Sequence, residues 1–135
     1  MKKQIKMYDV QAIELPTSLN KAFEYISMPG NLPGWTSAFK EADEKSALLV
    51  TPNGELKISL KTITNQSGTI DWYMTMPDGS VAKAFSRLTD LPNGNVLYSF
   101  VLLAPPVPIE QVEGTLEQQK QILSTELERL AKILS

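Results

Sequence analysis

Four dipeptides that favour tight turns divide the middle of the sequence, and they constrain the fold more than any other feature. They are Asn53-Gly54, Ser67-Gly68, Asp78-Gly79 and Asn93-Gly94. Each one separates two stretches in which apolar and polar residues alternate, as in half-buried β-strands. Asn-Gly and Asp-Gly supply the positive φ angles that tight hairpin turns require. The sequence therefore predicts an antiparallel meander rather than parallel strands joined by helices.

One further strand is expected before this meander. Residues 4 to 15 alternate with a period of two, and Tyr8, Val10 and Ala12 share one face while Asp9 and Gln11 lie on the other. This strand brings the expected sheet to six or seven strands.

Two short helices are predicted directly after the first strand. The apolar spacing becomes three and four residues beyond Thr17, which predicts a helix with Thr17 or Ser18 as its N-cap. Its apolar positions are Leu19, Ala22, Phe23 and Ile26. Pro29 is expected to end this helix because its ring blocks continuation. Asn31 can cap a second, very short helix that has Pro33 in its first turn.

The end of the chain predicts one long amphipathic helix. Its apolar stripe consists of Val112, Leu116, Leu123, Leu127, Leu130 and Leu134. Gln119 interrupts the stripe between Leu116 and Leu123. The order of elements then favours a single α+β domain over residues 1–135, in which a curved antiparallel sheet wraps around the long helix. The two short helices would close one end and leave a cavity between sheet and helix.

Composition excludes several classes of function. The chain has no Cys and no His, which removes disulfides, thiolate nucleophiles, the commonest general base and the commonest transition-metal ligands. We therefore expect no metal and no cofactor. The formal net charge is −2 with scattered basic residues, so we expect no nucleic-acid partner. No apolar run approaches the roughly 18 residues of a membrane span, and polar residues interrupt the stretch after Lys3, so we expect no membrane insertion and a cytoplasmic, bacterial protein.

The stretch IELPTSLNKAFEYISMPGNLPGW resembles the start of the START-like, or SRPBCC, superfamily, in its polyketide cyclase/dehydrase and lipid-transport branch. The matching positions are Pro16, Phe23, Tyr25, Ile26, Asn31, Leu32, Pro33 and Trp35. Later stretches, including GTIDWYMTMPDGS and LSTELERLAKIL, are similar to an uncharacterised bacterial subgroup, so the resemblance covers essentially the whole chain. It implies a helix-grip fold with a hydrophobic tunnel that binds lipids, sterols, polyketides or hormones. Some members catalyse aldol cyclisation or dehydration there, commonly with polar acid/base groups.

Three functions are compatible with these observations. The first is binding of a small hydrophobic or amphipathic ligand, such as a lipid, polyketide or aromatic compound, in the internal cavity. The second is a polyketide cyclase/dehydratase-like enzyme, for which the sequence identifies no catalytic residue. The third is a dimeric protein-interaction module, and a homodimer is therefore a possible assembly.

The candidate ligand-binding residues combine inward-facing apolar positions with polar residues on apolar faces. They are Tyr8, Phe23, Ile26, Trp35, Phe39, Leu60, Trp72, Met74, Arg87, Tyr98, Phe100, Gln119 and Leu123. Core packing explains the apolar members equally well. Gln119 and Arg87 either orient a carbonyl or carboxylate of a ligand or lie in solvent, and Arg87 could pair with Asp71.

Trp35 has two interpretations of its own. With the Pro/Gly pairs before it, Trp35 could form a gate over the cavity, whose glycines act as hinges. Alternatively, it is a large anchor that docks the second helix on the sheet and lines the cavity mouth.

Overall fold

The computed structural model describes residues 6–104 and 109–135, and for residues 109–113 it describes the backbone alone. The described residues form a curved, open sheet of seven antiparallel strands and three α-helices, which confirms the α+β prediction and is consistent with a helix-grip fold. The strands are β1 (Tyr8–Leu15), β2 (Phe39–Ala42), β3 (Ser46–Thr51), β4 (Gly54–Asn65), β5 (Thr69–Thr75), β6 (Val81–Asp90) and β7 (Val96–Leu103). The helices are α1 (Leu19–Ile26), α2 (Leu32–Trp35) and α3 (Ile109–Ile133). None of the described helices is long and apolar enough to cross a membrane.

The sheet follows the chain order closely. Its strand order is β1-β7-β6-β5-β4-β3-β2, so strands two to seven form a meander and β1 pairs with β7. The four turn glycines all have positive φ angles, between 87° and 122°, as the turn dipeptides predicted. The edge strand β2 pairs with β3 and carries a register shift between Phe39 and Glu41.

The inner face of the sheet carries the core. The alternation predicted for β4, β5 and β7 is confirmed, because Leu60, Trp72 and Phe100 are all buried on this face. In β6 the inward positions are Ala82, Ala84, Ser86 and Leu88. Small residues therefore line the first half of β6, where they leave space between sheet and helix.

The inward face of β1 is the one with Asp9 and Gln11, so the face that carries Tyr8 points outward. Tyr8 is 51 % exposed, whereas Asp9 is 6 % exposed. Gln11 Nε2 donates to the Lys120 carbonyl oxygen of α3 at 2.8 Å and to Asp9 Oδ2 at 3.2 Å. Because these polar groups pair with each other and with the helix, their inward position does not leave them without hydrogen bonds.

The short helices form where the sequence predicts them, with one difference in capping. Ser18 caps α1 by accepting from Lys21 N–H, and Met28 is extended before Pro29. A 3-10 turn over Pro29–Asn31 leads into α2. Asn31 occupies the N-cap position of α2, but its side-chain amide donates to the Tyr25 carbonyl oxygen instead of capping the helix.

The stripe of α3 packs against the inner face of the sheet. Leu116, Leu123, Leu127 and Leu130 are buried. Leu134 is half-buried against the core, and the side chain of Val112 lies outside the described residues. Gln119 is half-buried on the same side, between Leu116 and Leu123.

The hairpin that contains Gly68 packs closely against the backbone at Leu88. The φ of Gly68 is +122°, and a Cβ on it would lie 2.3 Å from the Leu88 carbonyl oxygen. Gly54 has a similar φ of +115° but no atom within 4 Å of such a Cβ. We expect Gly68→Ala to lower the free energy of unfolding by roughly 1–3 kcal/mol more than Gly54→Ala, because Gly68→Ala adds a clash to the same backbone strain. Urea denaturation of both variants measures the difference, and equal losses would contradict it.

Candidate functional site

A cavity of about 320 Å³ lies between the inner face of the sheet, α2 and α3. Most of its wall is apolar. The lining residues are Leu32, Trp35, Thr36, Ala38, Phe39, Leu49, Trp72, Met74, Met76, Ala82, Lys83, Ala84, Phe100, Leu102, Leu103, Gln119, Ile122, Leu123 and Glu126. Ala38, Lys83 and Ile122 are exposed, so the cavity reaches the surface beside them.

Aromatic side chains form one wall of the cavity. The ring centroid of Trp72 lies 6.4 Å from that of Trp35 and 6.1 Å from that of Phe100. Trp35 also meets Tyr98 edge to face at 6.4 Å. These separations fall in the range in which aromatic pairs attract each other. The wall is thus held in place by its own contacts.

The two tryptophans leave polar atoms without partners. Nε1 of Trp35 and Nε1 of Trp72 are buried, and neither N–H donates a hydrogen bond to an acceptor among the described residues. The Thr62 hydroxyl, on the residue opposite Trp72 in β4, is also buried and unpaired among them. Each such group costs roughly 1–3 kcal/mol when it is removed from water without a new hydrogen bond. Two of the three groups belong to residues that line the cavity, and Thr62 does not line it.

The polar groups at the cavity edge come from α3 and from the segment after α2. The Ser37 backbone N–H donates to Glu126 Oε2 at 2.5 Å, and Arg129 Nη1 donates to the Thr36 carbonyl oxygen at 3.5 Å. Burial raises the pKa of the Glu126 carboxyl, while the hydrogen bond from Ser37 and the charge of Arg129 oppose that rise. Two side chains of α3 are therefore hydrogen-bonded to the segment that follows Trp35.

The structure brings seven of the thirteen candidate residues together around this cavity. They are Trp35, Phe39, Trp72, Met74, Phe100, Gln119 and Leu123. Ile26, Leu60 and Tyr98 are buried in the core away from the cavity lining, and Phe23 packs against that core. Tyr8 and Arg87 are exposed.

The placement of Arg87 differs from the expectation of a polar group on an apolar inner face. Arg87 does share a face with Phe85 and Val81, but this is the outer face of β6. It stands opposite Thr69 across the β5–β6 pair. Asp71 lies opposite Phe85 and accepts a hydrogen bond from the Ser86 backbone N–H at 3.2 Å. Arg87 and Asp71 therefore do not form a polar pair inside the cavity.

Tyr98 takes part in a buried polar chain and not in the cavity wall. Its hydroxyl donates to Ser86 Oγ at 3.0 Å, and Ser86 Oγ donates to the Ile70 carbonyl oxygen at 2.5 Å. Burial raises the pKa of Tyr98, so its phenol stays protonated. Both hydroxyls are satisfied and crosslink three neighbouring strands.

Sequence reasoning missed Glu126. The residue follows Gln119 by seven positions and Leu123 by three, which places all three on one side of α3. This spacing was available in the sequence, but a glutamate on a charged helix is ordinarily a solvated residue. Among the side chains of residues 6–104 and 114–135, no three acidic groups lie close enough together to hold a metal ion.

Comparison with solved structures identifies the fold. A START superfamily protein from Mycobacterium smegmatis is 12 % identical over 96 % of this chain and 100 % of its own, with a TM-score of 0.72. A Bacillus halodurans protein is 16 % identical over 96 % and 100 % of the two chains, with a TM-score of 0.67. A putative protein of the dynemicin biosynthetic locus is 13 % identical over 96 % of this chain and 48 % of its own, with a TM-score of 0.63.

These likenesses show a START/SRPBCC-like fold, as the sequence predicted. No model of a known protein family matches the sequence. No match was found among curated proteins.

The burial of Trp35 predicts that truncating its side chain lowers the stability of the protein strongly. Trp35 is 2 % exposed and contacts two other aromatic rings, as an anchor would. We expect Trp35→Ala to lower the free energy of unfolding by roughly 3–5 kcal/mol. Tyr8→Ala, which truncates an exposed aromatic, should cost less than about 1 kcal/mol. Thermal and urea denaturation measure both, and a loss at Trp35 no larger than that at Tyr8 would favour the gate.

The raised pKa of Glu126 predicts a pH dependence of stability. The folded state holds the Glu126 proton more tightly than the unfolded state, so ionisation of Glu126 lowers stability as pH rises through the raised pKa. We therefore expect the stability of the wild type, relative to Glu126→Gln, to fall as pH rises above 4.5, the ordinary glutamate value. Urea denaturation at a series of pH values measures this trend.

Glu14 provides a control of opposite sign. Hydrogen bonds from Asn95 and then Asn93 lower the pKa of Glu14. The stability of the wild type relative to Glu14→Gln should accordingly rise as the pH approaches 4.5 from below, and then level off. Parallel trends for the two variants would contradict the assignment of burial as the cause at Glu126.

Proposed function

We propose that this protein binds a small, predominantly apolar molecule in the cavity between the sheet, α2 and α3. The observation that carries the proposal is the cavity itself, which lies beside well-packed leucines of α3 yet remains open over Ala82 and Ala84. Protein interiors are otherwise close-packed, so an apolar space of this size is unusual without an occupant. The START/SRPBCC-like fold supports the same function, because hydrophobic ligand binding is common among proteins with this fold.

The volume limits the size of the ligand. At about 320 Å³ the cavity is near the lower end of the range for small-molecule sites. It corresponds to the volume of about ten water molecules in the liquid. A mono- or bicyclic aromatic compound, or a short alkyl chain, fits this space, whereas a diacyl lipid would need the cavity to enlarge.

The other functions suggested by the sequence stay predictions. A cyclase or dehydratase would need a group that exchanges protons with the substrate, and Glu126 is the cavity residue whose burial suits that role. One structural relative is described as a putative protein of the dynemicin biosynthetic locus, which says nothing about a reaction of this chain. The homodimer and the cytoplasmic location also stay predictions.

Filling the cavity tests the proposed function. Ala84→Leu adds a branched side chain on the inner face of β6, directly at the cavity wall. Ala12→Leu adds the same group on the exposed outer face of β1 and serves as the matched control. We expect native mass spectrometry of gently purified wild-type protein to show a small-molecule adduct that denaturing extraction releases. Ala12→Leu should retain the adduct. Ala84→Leu should lose at least about nine-tenths of it, because the new leucine side chain would occupy the same volume as the bound molecule.

Two results would contradict the proposal. One is an adduct that persists at the wild-type level in a folded Ala84→Leu protein, since the molecule would then lie elsewhere. The other is a wild-type protein that carries no adduct and whose amide NMR signals from residues around the cavity do not shift when a naphthalene derivative is added. Circular dichroism establishes that both variants are folded.

A further inference from the structure

We propose that the ligand of this cavity is an organic cation, a protonated amine on an apolar body, whose ammonium group is bound by the carboxylate of Glu126. The inference rests on the proposed function and names the chemical class of ligand for the same cavity. It starts from the position of Glu126. This residue lines the cavity and is half-buried, so an added molecule can reach its carboxyl group.

The carboxyl group of Glu126 has room for a further hydrogen-bond donor. Its Oε2 accepts the Ser37 backbone N–H, whereas Oε1 accepts no hydrogen bond from a described residue. Glu126 forms no salt bridge with a described side chain, and the neighbouring Arg129 donates instead to the Thr36 carbonyl oxygen. A carboxylate accepts several hydrogen bonds, and a cationic donor would also balance its charge.

Burial governs the ionisation of this carboxyl group. Burial raises the pKa of Glu126, and the Ser37 hydrogen bond and the charge of Arg129 do not fully offset that rise. Ionised Glu126 is therefore a charge that its own surroundings compensate incompletely. An ammonium group beside it would supply the missing countercharge and would lower the pKa again.

Glu126 lies beside the opening of the cavity, where a charged group of a ligand keeps part of its water. Ile122, about one helical turn earlier on α3, and Ala38, in the segment bound by Glu126, are exposed residues at that opening. Trp72 and Phe100 form part of the buried wall. An apolar body can contact these rings while its ammonium group stays at the opening, so the cation is not fully desolvated.

The lining offers no comparable site for an anion. Lys83 is the single cationic residue among the described lining residues, and it is exposed. It alternates with the inward-facing Ala82 and Ala84, which places its side chain on the opposite face of the sheet. Gln119 adds a neutral amide to the cavity side of α3, and its oxygen can accept a hydrogen bond. The polar groups of the wall therefore favour a positively charged donor.

Naphthalene derivatives with the same number of non-hydrogen atoms test the inference. They are 2-(aminomethyl)naphthalene, which is cationic at neutral pH, and the neutral compounds 2-naphthalenemethanol and 2-ethylnaphthalene. We expect NMR titration of the wild-type protein to give a dissociation constant at least about tenfold lower for the amine than for the alcohol or the hydrocarbon. The anion 2-naphthoate should bind more weakly than the alcohol, because Glu126 would repel it.

Glu126→Gln and Glu128→Gln form a matched pair of variants. Both remove one negative charge from α3, but Glu128 is exposed and does not line the cavity. Glutamine at position 126 keeps an oxygen that can accept the Ser37 N–H. We expect the ratio of the alcohol dissociation constant to the amine dissociation constant to fall about tenfold in Glu126→Gln and to keep its wild-type value in Glu128→Gln.

The side-chain carboxyl carbon of Glu126 gives a direct readout. Its ¹³C signal moves when the group ionises, and the spectrum of Glu126→Gln assigns it. We expect the pKa of Glu126 to lie above the ordinary value of 4.5 in the free protein and to fall when the amine is bound. The alcohol should lower this pKa less than the amine, since it brings no charge.

The outcomes separate this inference from the function on which it rests. Equal binding of amine and alcohol, or a preference for the amine that survives in Glu126→Gln, would overturn the ammonium site while leaving an apolar binding site intact. An equal loss of preference in Glu128→Gln would assign it to net charge and would also overturn the inference. Tighter binding of naphthoate than of the amine would do the same. If none of the four probes binds to the folded wild-type protein, the proposed function fails and the inference fails with it.

Discussion

The packing of α3 against the concave face of the sheet governs how the interior of the protein is filled. A twisted antiparallel sheet curves, and a straight helix can fill its concave side only where side-chain volumes match the gap. Towards the end of α3 the gap is filled by Leu127, Leu130 and their neighbours on the sheet. Nearer the start of the helix, Ala82 and Ala84 of β6 are too small to reach it. The cavity follows from that mismatch of volume.

The aromatic cluster keeps this space from collapsing. Trp35 enters from α2, Trp72 from β5 and Phe100 from β7, so three separate elements meet at the cavity wall. Large rings in mutual contact cannot easily move into a neighbouring void, because each is held by the others. Glu126 and Arg129 add polar links from α3 to the segment after Trp35. The position of α2 is thus set by packing on one side and by hydrogen bonds on the other.

The buried residues of the inner face differ in how completely their polar groups are hydrogen-bonded. Tyr98 and Ser86 are buried and fully paired, which suits a role in joining strands. Trp35 and Trp72 are equally buried, and their N–H groups are unpaired among the described residues. Burial alone would have grouped all four residues together as core. Hydrogen bonding, and not burial, separates these two pairs of residues.

The local structure follows from the sequence alone: the hairpins at Gly54, Gly68, Gly79 and Gly94, the alternation of the strands, and the stripe of α3. Turn geometry and side-chain period are properties of neighbouring residues, so they can be read from the chain. A period of two identifies the two faces of a strand but not which one points inward, which is why Tyr8 and Arg87 were expected in the cavity and lie outside it. The choice of the inward face depends on the tertiary fold, as do the volume of the cavity and the unpaired state of the two indoles. These depend on contacts between residues that are far apart in sequence, such as Trp35 with Trp72 and Ser37 with Glu126.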